Sequence, residues 1–225
     1  MFMDELKKLN NIVLLGEAGS GKTEIALSLA TRHLRQEQGP ASFFDMDQTK
    51  GVFRARDCRE TLAASGFRLM EPTSFLDAPV VPAGVIGSLL DPRSVNIFDV
   101  GGNEVGARMI GQFHAHLRAG RTKVLYVINP YRHVAMEGQQ LVDRMDRILR
   151  ACRLQGVDSV IVSNPCLGEQ TTMEEILAGH RLLQEELARE GCCASILAVR
   201  EPLAEEARSR VREGVLALRL HIRYP

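Results

Sequence analysis

The chain has 225 residues, 45% of them hydrophobic and 25% charged, a composition typical of a globular protein with a sizeable core. Its 28 basic and 28 acidic residues balance, so no net positive charge favours binding to nucleic acid or to an anionic membrane. No stretch approaches the roughly 18 consecutive apolar residues of a membrane span, and the first residues lack the pattern of a secretory signal. We therefore expect a cytoplasmic protein.

The first predicted strand, residues 11–15, is followed directly by a glycine-rich loop and then by a helix. Residues 16–23 match the phosphate-binding pattern G-x-x-x-x-G-K-T, which predicts binding of a nucleoside triphosphate. In this pattern backbone N–H groups converge on phosphate oxygens, Lys22 neutralises the β- and γ-phosphates, and the Thr23 hydroxyl ligates Mg²⁺. The candidate binding residues of the loop are Gly16, Gly19, Ser20, Gly21, Lys22, Thr23 and Glu24.

Short apolar runs alternate with helical periodicity along the rest of the chain. The predicted strands cover residues 11–15, 41–46, 67–70, 94–99, 123–129, 157–163 and 194–199. The predicted helices cover residues 22–38, 53–65, 83–90, 104–119, 136–155, 172–190 and 202–213. This order predicts a three-layer α/β/α fold with a mostly parallel central sheet, and we interpret residues 1–225 as a single domain.

Two segments depart from the alternation. Residues 72–92 contain four prolines and two glycines, which indicates a surface excursion between two strands. Residues 216–224 alternate apolar and mostly basic side chains, which predicts an edge strand whose polar face is exposed to water. The residues predicted on that exposed face are Arg219, His221 and Arg223.

Five cysteines form an odd set without a C-x-x-C pair, which favours free thiols in a reducing compartment. Cys152 fits the apolar face of the helix predicted at 136–155, so we expect it in the core. Cys166 lies just past a predicted strand. The other three are Cys58, Cys192 and Cys193.

Carboxylates follow two further predicted strands, where ligands of parallel sheets bind. The second strand leads into Asp45-Met46-Asp47, and we expect only one of the two carboxylates to face the site. The fourth strand leads into Asp99-Val-Gly-Gly102. Asp99 can hold Mg²⁺ through water, and Gly102 can offer its N–H to the γ-phosphate.

The sixth predicted strand ends at Asn164-Pro165. An asparagine amide there can both donate to and accept from an adenine edge, and the Asn-Lys-x-Asp pattern of a guanine-reading site does not occur in the chain. These observations favour ATP over GTP. Asn-Pro is also an ordinary turn starter and occurs again at residues 129–130, so a purely structural role is the alternative.

The loop at 16–23, the Asp-Met-Asp and Asp-Val-Gly-Gly strand ends and the late Asn-Pro together resemble the MinD/ParA branch of P-loop ATPases. Residues 51–57, 129–132 and 164–172 are similar to a bacterial and archaeal subset of ATP-binding proteins. The resemblance spans about residues 11–200. It implies an ATPase that forms a nucleotide-dependent homodimer and couples its closure to a protein partner, which the resemblance does not identify.

The resemblance also implies roles for individual residues. Asp47 matches a carboxylate that orients the attacking water. Lys22 matches the phosphate ligand, and Asn164, with Pro165 beside it, matches the adenine reader. The matching metal ligands are Thr23, Asp47 and Asp99.

One position departs from the family pattern. ParA-type loops carry an additional lysine after the first glycine, which reaches the phosphates of the other subunit, whereas this chain has Glu17. Either hydrolysis is slow or another cation substitutes. The candidates are Arg54, Arg56 and Arg132, with solvated arginines on a helix face as the alternative for all three.

Our leading functional hypothesis is a Mg²⁺-dependent ATPase that acts as a switch on a partner protein. The alternatives are a nucleotide-gated regulator with little hydrolysis, suggested by Glu17, and a small-molecule kinase. A metal or cluster delivery role, suggested by Cys166 and by the pair His114 and His116, is a further alternative.

Overall fold

Eight strands form one sheet in which every pairing of described strands is parallel. The computed structural model describes residues 2–34, 40–47, 58–70, 82–132 and 138–221. The strands are β1 (Asn11–Leu15), β2 (Ala41–Met46), β3 (Arg68–Met70), β4 (Val95–Val100), β5 (Thr122–Ile128), β6 (Ser159–Ser163), β7 (Ala194–Arg200) and β8 (Gly214–Leu218).

Nine α-helices are described. They are α1 (Phe2–Leu6), α2 (Lys22–Ser28), α3 (Arg59–Ala64), α4 (Val85–Leu90), α5 (Glu104–Gly111), α6 (His114–Ala119), α7 (Gly138–Cys152), α8 (Met173–Arg189) and α9 (Ala204–Arg210). None of these helices combines the length and the apolar character needed to cross a bilayer.

The strand order is β3-β2-β4-β1-β5-β6-β7-β8, so the chain builds outward in two directions from β1. The connection from β1 runs toward β2, and the connection from β5 runs toward β6 on the other side. This reversal of direction is the point at which open α/β sheets bind ligands at the carboxyl ends of their strands. The loops after β1, β4 and β5 therefore meet at one edge.

Both faces of the sheet are covered by helices, which makes the fold a three-layer α/β/α arrangement. Ile12, Leu14 and Phe43 pack with α1, α2 and α3 on one face. Val13 and Phe44 pack with α4 to α8 on the other face, because successive side chains of a strand alternate. The predicted fold class is confirmed, and the sheet is more uniformly parallel than we expected.

Several predicted helices are shorter in the structure. The helix predicted at 22–38 has α-helical bonding only to Ser28 and continues as a π-helical turn over Leu29–His33, while residues 35–39 lie outside the described part. The helix predicted at 53–65 begins at Arg59, and residues 53–57 are likewise outside it. The helix predicted at 202–213 spans Ala204–Arg210, after a 3₁₀ turn over Glu201–Leu203.

The helix predicted at 104–119 is two helices because tertiary packing interrupts it. A Cβ on Gly111 would lie 2.8 Å from the carbonyl oxygen of Ala151, so α5 meets α7 here at backbone distance. The backbone N–H of Phe113 then donates to the carbonyl oxygen of Ile110, as in a 3₁₀ turn, and the Phe113 side chain is buried in the core. The short helix α1 was not predicted.

The last predicted strand is also shorter than expected. β8 is at the sheet edge, as predicted, but it ends at Leu218, and residues 222–225 lie outside the described part. Arg219 is exposed as predicted. His221 was predicted to face water, but it is half-buried, with its ring nitrogen 3.0 Å from the Thr31 hydroxyl.

A chain of polar side chains, buried except at Ser88, crosses the amino ends of four central strands. Asn96 in β4 donates to Asn11 in β1 at 2.9 Å, and Asn11 donates to Thr122 in β5 at 3.0 Å. Ser94 donates to Asn96 at 3.0 Å, and the chain continues through the hydroxyls of Ser88 and Ser42. Because each group satisfies its neighbour, the chain holds β5, β1, β4 and β2 in one register.

Asn96→Ala should lower the free energy of unfolding by about 1–3 kcal/mol, because Asn11 and Ser94 would lose their buried partner. Ser42→Ala is the matched control at the end of the chain, and it should cost less than about 1 kcal/mol because only one hydroxyl contact is lost. Urea unfolding of the two variants measures both values. Equal losses would contradict a role for Asn96 at the centre of the chain.

Candidate functional site

The glycine-rich loop at 16–21 runs from β1 to α2 in a conformation that requires glycine. Gly16, Gly19 and Gly21 have φ angles of 133°, 77° and 94°, which L side chains rarely adopt. A Cβ on Gly16 would also lie 2.2 Å from the carbonyl oxygen of Val127 in β5. The loop therefore lies directly against the central sheet, with α2 beginning at Lys22.

Thr23 and Asp99 join the loop to the end of β4. Asp99 lies on the same face of its strand as Ile97, which packs on the α2 side, so strand alternation directs its carboxylate toward that helix. The Thr23 hydroxyl donates to Asp99 Oδ2 at 2.7 Å, and Asp99 is fully buried. This pair presents a hydroxyl and a carboxylate oxygen side by side, which suits a Mg²⁺ ion also held by phosphate oxygens.

The turn after β4 packs on the loop at backbone distance. A Cβ on Gly102 would lie 2.5 Å from the backbone nitrogen of Ala18. Gly101 in turn lies next to Asp47, whose Oδ1 would be 3.2 Å from a Cβ at that glycine. The two strand ends predicted from sequence, at Asp47 and at Asp99–Gly102, are thus neighbours in the structure.

Asp45 and Asp47 have different surroundings, as expected. Asp45 is buried within β2, in register with Asp99, and its Oδ1 accepts the backbone N–H of Asp47 at 3.2 Å. Asp47 follows the strand and is half-buried. Because β2 ends at Met46, Asp47 is free of the strand's alternation and turns toward Gly101.

Asn164 contacts the phosphate-binding loop itself. Its Nδ2 donates to the carbonyl oxygen of Ser20 at 2.8 Å, and it would lie 2.1 Å from a Cβ on Gly21. Its backbone N–H donates to Ile128 in β5. The side-chain donor of Asn164 is therefore used within the protein, and its Oδ1 accepts no hydrogen bond from a described residue.

A cavity of about 180 Å³ opens beside the loop at the carboxyl ends of β6, β7 and β8. Its polar lining includes Glu24, Asn129, Asn164, Thr171 and Arg200, with Arg132 at the loop side. Its apolar lining comprises Pro165, Leu167, Ile176, Ala198, Val199, Leu218 and Leu220. A mostly apolar cleft with a few polar groups is the usual form of a small-molecule site.

Sequence reasoning missed much of this cavity. Asn129 is buried, with its Nδ2 donating to the carbonyl oxygen of Cys166 at 2.8 Å, so it holds the segment after β6. Arg200 donates to the carbonyl oxygen of Thr171 at 3.0 Å. The recurrence of Asn-Pro after β5 and β6 was the available signal for Asn129. No motif marked the contribution of β7 and β8.

Glu24, predicted as a nucleotide-binding residue, has a defined structural partner. Its two carboxylate oxygens accept the backbone N–H of His221 at 3.1 and 3.0 Å. The Ser28 hydroxyl accepts the N–H of Arg219 at 3.0 Å. These hydrogen bonds attach the segment after β8 to α2. Burial lowers the pKa of His221, and the positive charge of Arg219 lowers it further.

Glu17, the position that departs from the family pattern, pairs with an arginine of its own chain. Its carboxylate lies 3.2 Å from the guanidinium of Arg144 in α7. Tyr126 lies close by in β5, and burial, followed by the charge of Glu17, raises the pKa of its phenol. Lys22 folds across the loop and donates to the carbonyl oxygen of Glu17 at 2.8 Å.

The three arginines considered as substitute cations differ in what the structure describes. Arg54 and Arg56 lie outside the described residues. Arg132 lies in the turn after β5, where its Cγ and Cδ would be 3.9 and 4.0 Å from a Cβ on Gly19. The aliphatic part of its side chain thus lies next to Gly19 in the phosphate-binding loop.

The cysteines and the described histidines form neither a disulfide nor a metal-binding cluster. No disulfide occurs among the five cysteines, and Cys152 is fully buried in the core, as predicted. Cys166 is half-exposed in the cavity lining. The His114 ring contacts the carbonyl oxygen of Gly111, and no group of three or more His, Cys, Asp or Glu in the described ranges is arranged to hold a metal ion.

Comparison with solved structures shows which fold this chain adopts. The chain is similar to the cell division protein FtsY of Thermotoga maritima, with a TM-score of 0.50, 18% identity and coverage of 88% of this chain and 68% of that one. The fold defined by the sheet and the loop is that of the P-loop NTPases.

Two weaker similarities have TM-scores below 0.5. The hydrogenase maturation factor HypB of Archaeoglobus fulgidus is 17% identical, with a TM-score of 0.41 and coverage of 87% of this chain and 84% of that one. The signal recognition particle 54 kDa protein of Aeropyrum pernix, in complex with GDP, is 16% identical, with a TM-score of 0.38 and coverage of 95% and 44%.

No protein-family model and no curated protein matches the sequence. The MinD/ParA resemblance therefore stays a prediction.

Gly102→Ala should lower the free energy of unfolding by about 1–3 kcal/mol, because its methyl group would overlap the backbone of the phosphate-binding loop. Gly87→Ala is the control, since a Cβ there meets nothing within 4 Å and the site is helical. It should be neutral or stabilising by up to about 1 kcal/mol. Urea unfolding checks both variants, and a neutral Gly102→Ala would contradict the close packing of the turn on the loop.

Proposed function

We propose that the protein is a Mg²⁺-dependent ATPase that acts as a nucleotide-dependent switch on a partner protein. The observation that carries the proposal is the 2.7 Å hydrogen bond between Thr23 and Asp99, which brings a candidate metal site to the phosphate-binding loop. A glycine-rich loop with a purely structural role would need neither the Thr23 hydroxyl nor the Asp99 carboxylate, because the glycines alone set its conformation. The same pair at the start of α2 suits a bound metal–triphosphate complex.

The residues of the candidate site have proposed roles in ATP hydrolysis. The backbone of residues 16–21 and Lys22 would bind the phosphates, while Thr23, Asp47 and Asp99 would hold Mg²⁺ directly or through water. Mg²⁺ would neutralise charge on the phosphate oxygens. Asp47 would orient the attacking water, and Gly102 would offer its N–H to the γ-phosphate.

Adenine is the base that we propose for the cavity. The Asn164 donor is engaged by Ser20, which leaves its Oδ1 as an acceptor for the exocyclic amino group of adenine. Guanine carries an acceptor oxygen at the corresponding position, which an amide oxygen does not bind. The absence of an Asn-Lys-x-Asp pattern from the sequence supports the same choice.

We propose that the nucleotide-dependent change of conformation begins where the turn after β4 contacts the phosphate-binding loop. Gly102 lies against Ala18 at backbone distance, so a γ-phosphate reaching this turn would move it and α5 behind it. The MinD/ParA resemblance also leads us to propose a nucleotide-dependent homodimer and a protein partner. Light-scattering mass with ATP and with ADP tests the dimer, and co-purification with each nucleotide tests the partner.

A second candidate function is a nucleotide-gated regulator that hardly hydrolyses ATP. The observation that favours it is the ion pair of Glu17 with Arg144, which puts a carboxylate where related loops carry a cation. Single-turnover and steady-state assays separate the two candidates, because repeated unassisted turnover would exclude the regulator.

Lys22→Ala should abolish ATP hydrolysis and weaken ATP binding at least about tenfold, because the β- and γ-phosphates would lose their buried lysine. Lys8→Ala is the control, because Lys8 is an exposed lysine outside the site. Phosphate release and calorimetric titration with ATP and Mg²⁺ give both values. Full binding and turnover by Lys22→Ala would overturn the proposal.

ATP should protect Cys166 from alkylation at a concentration about tenfold lower than GTP does, which corresponds to one favourable hydrogen bond at the base. Cys166 lines the cavity, whereas Cys193 is exposed and serves as the internal control. Peptide mass mapping after N-ethylmaleimide treatment reports both cysteines in one sample. Equal or better protection by GTP would overturn the choice of adenine.

A further inference from the structure

Arg132 is a described arginine next to the phosphate-binding loop that could meet a bound phosphate. Lys22 is the lysine of the loop itself, and Arg144 is neutralised by Glu17 at 3.2 Å. Arg132 is exposed and forms no ion pair with a carboxylate of the described ranges. Its Cγ and Cδ would lie 3.9 and 4.0 Å from a Cβ on Gly19, and it lines the same cavity as Gly19 and Gly21, so this arginine is next to the loop.

The turn that carries Arg132 is held in place from several directions. The Arg132 N–H donates to the carbonyl oxygen of Asn129 at 3.1 Å, and the Asn129 side chain accepts the N–H of Tyr131 at 3.0 Å. The Tyr131 hydroxyl donates to the carbonyl oxygen of Glu175 in α8. The Tyr131 ring packs against Gly179, where a Cβ would lie 2.8 Å away. These contacts fix the position of the backbone from which the Arg132 side chain extends.

We propose that Arg132 is a catalytic residue that supplies, from the same chain, the positive charge that stabilises the transferring phosphoryl group. This inference rests on the proposed ATPase function. In the reaction the water oxygen bonds to the γ-phosphorus while the bond to the β,γ-bridging oxygen breaks. ADP leaves with that electron pair, and the water proton passes to solvent. The two-pronged guanidinium meets the charge that develops on the γ-phosphate and bridging oxygens.

In this proposal, Arg132 supplies the positive charge that the loop lacks at Glu17. The Glu17 carboxylate is turned toward Arg144, so the second residue of the loop offers no cation to a second subunit. The charge is supplied by the turn after β5 instead. Hydrolysis chemistry therefore does not require a residue from another copy of the chain.

Arg132→Ala should lower the single-turnover rate constant of ATP hydrolysis at least about 10³-fold, the lower end of the effect of a catalytic arginine. ATP affinity should change less than about tenfold, because the loop and Lys22 remain. Arg132→Lys should recover only part of the rate, since an ammonium group lacks the two-pronged geometry. Arg93→Ala, an exposed arginine in a turn before β4, is the control and should keep the wild-type rate.

The outcomes separate this inference from the proposed function. If the wild type hydrolyses ATP and Arg132→Ala retains a rate within threefold of it, Arg132 is not catalytic and the ATPase proposal stands. If affinity for ATP and ADP falls as much as the rate, Arg132 only binds nucleotide, and the inference is overturned. A wild-type chain that binds ATP without any turnover overturns both. Circular dichroism melting of each variant verifies that it is folded.

A mixing experiment tests whether the arginine acts within its own chain. Lys22→Ala and Arg132→Ala proteins, each inactive alone, are combined in equal amounts with ATP and Mg²⁺. Action within one chain predicts no recovery of hydrolysis, because no single chain has both residues. Recovery of activity would show that Arg132 acts on the other subunit, and would overturn that part of the inference.

Discussion

The hydrogen bond between Thr23 and Asp99 connects two segments 76 residues apart, and the candidate site is built around it. It is possible because β1 and β4 are adjacent parallel strands whose carboxyl ends lie at one edge. Strand alternation directs Asp99 to the face where α2 begins, so the first turn of that helix meets a buried carboxylate. The turn at Gly102 packs against the loop at backbone distance, two residues before α5 begins.

Charge at the loop is distributed in an unusual way for the family that the sequence resembles. A carboxylate at Glu17 would repel a triphosphate, but its pairing with Arg144 reduces that repulsion and directs the group toward α7. Arg132 approaches the loop from the turn after β5. In the proposed mechanism, the cation for phosphoryl transfer would come from the turn after β5, which is geometrically possible because β5 neighbours β1.

The cavity depends on the most distant parts of the sequence. Its walls include the segment after β6 and residues of β7 and β8, and the chain beyond β8 is fastened to α2 through Glu24 and Ser28. The helix that follows the phosphate-binding loop therefore also supports the wall of the cavity.

The sequence by itself determined the fold class, the phosphate-binding loop and the strand ends at Asp47, Asp99 and Asn164, because apolar periodicity and glycine spacing are local signals. Only the tertiary structure decided that Asn164 bonds to the loop, that Glu17 pairs with Arg144, and that Arg132 lies next to Gly19. It also decided that the helix predicted at 104–119 breaks where Gly111 meets α7. These features depend on contacts between residues far apart in the chain, which no local pattern encodes.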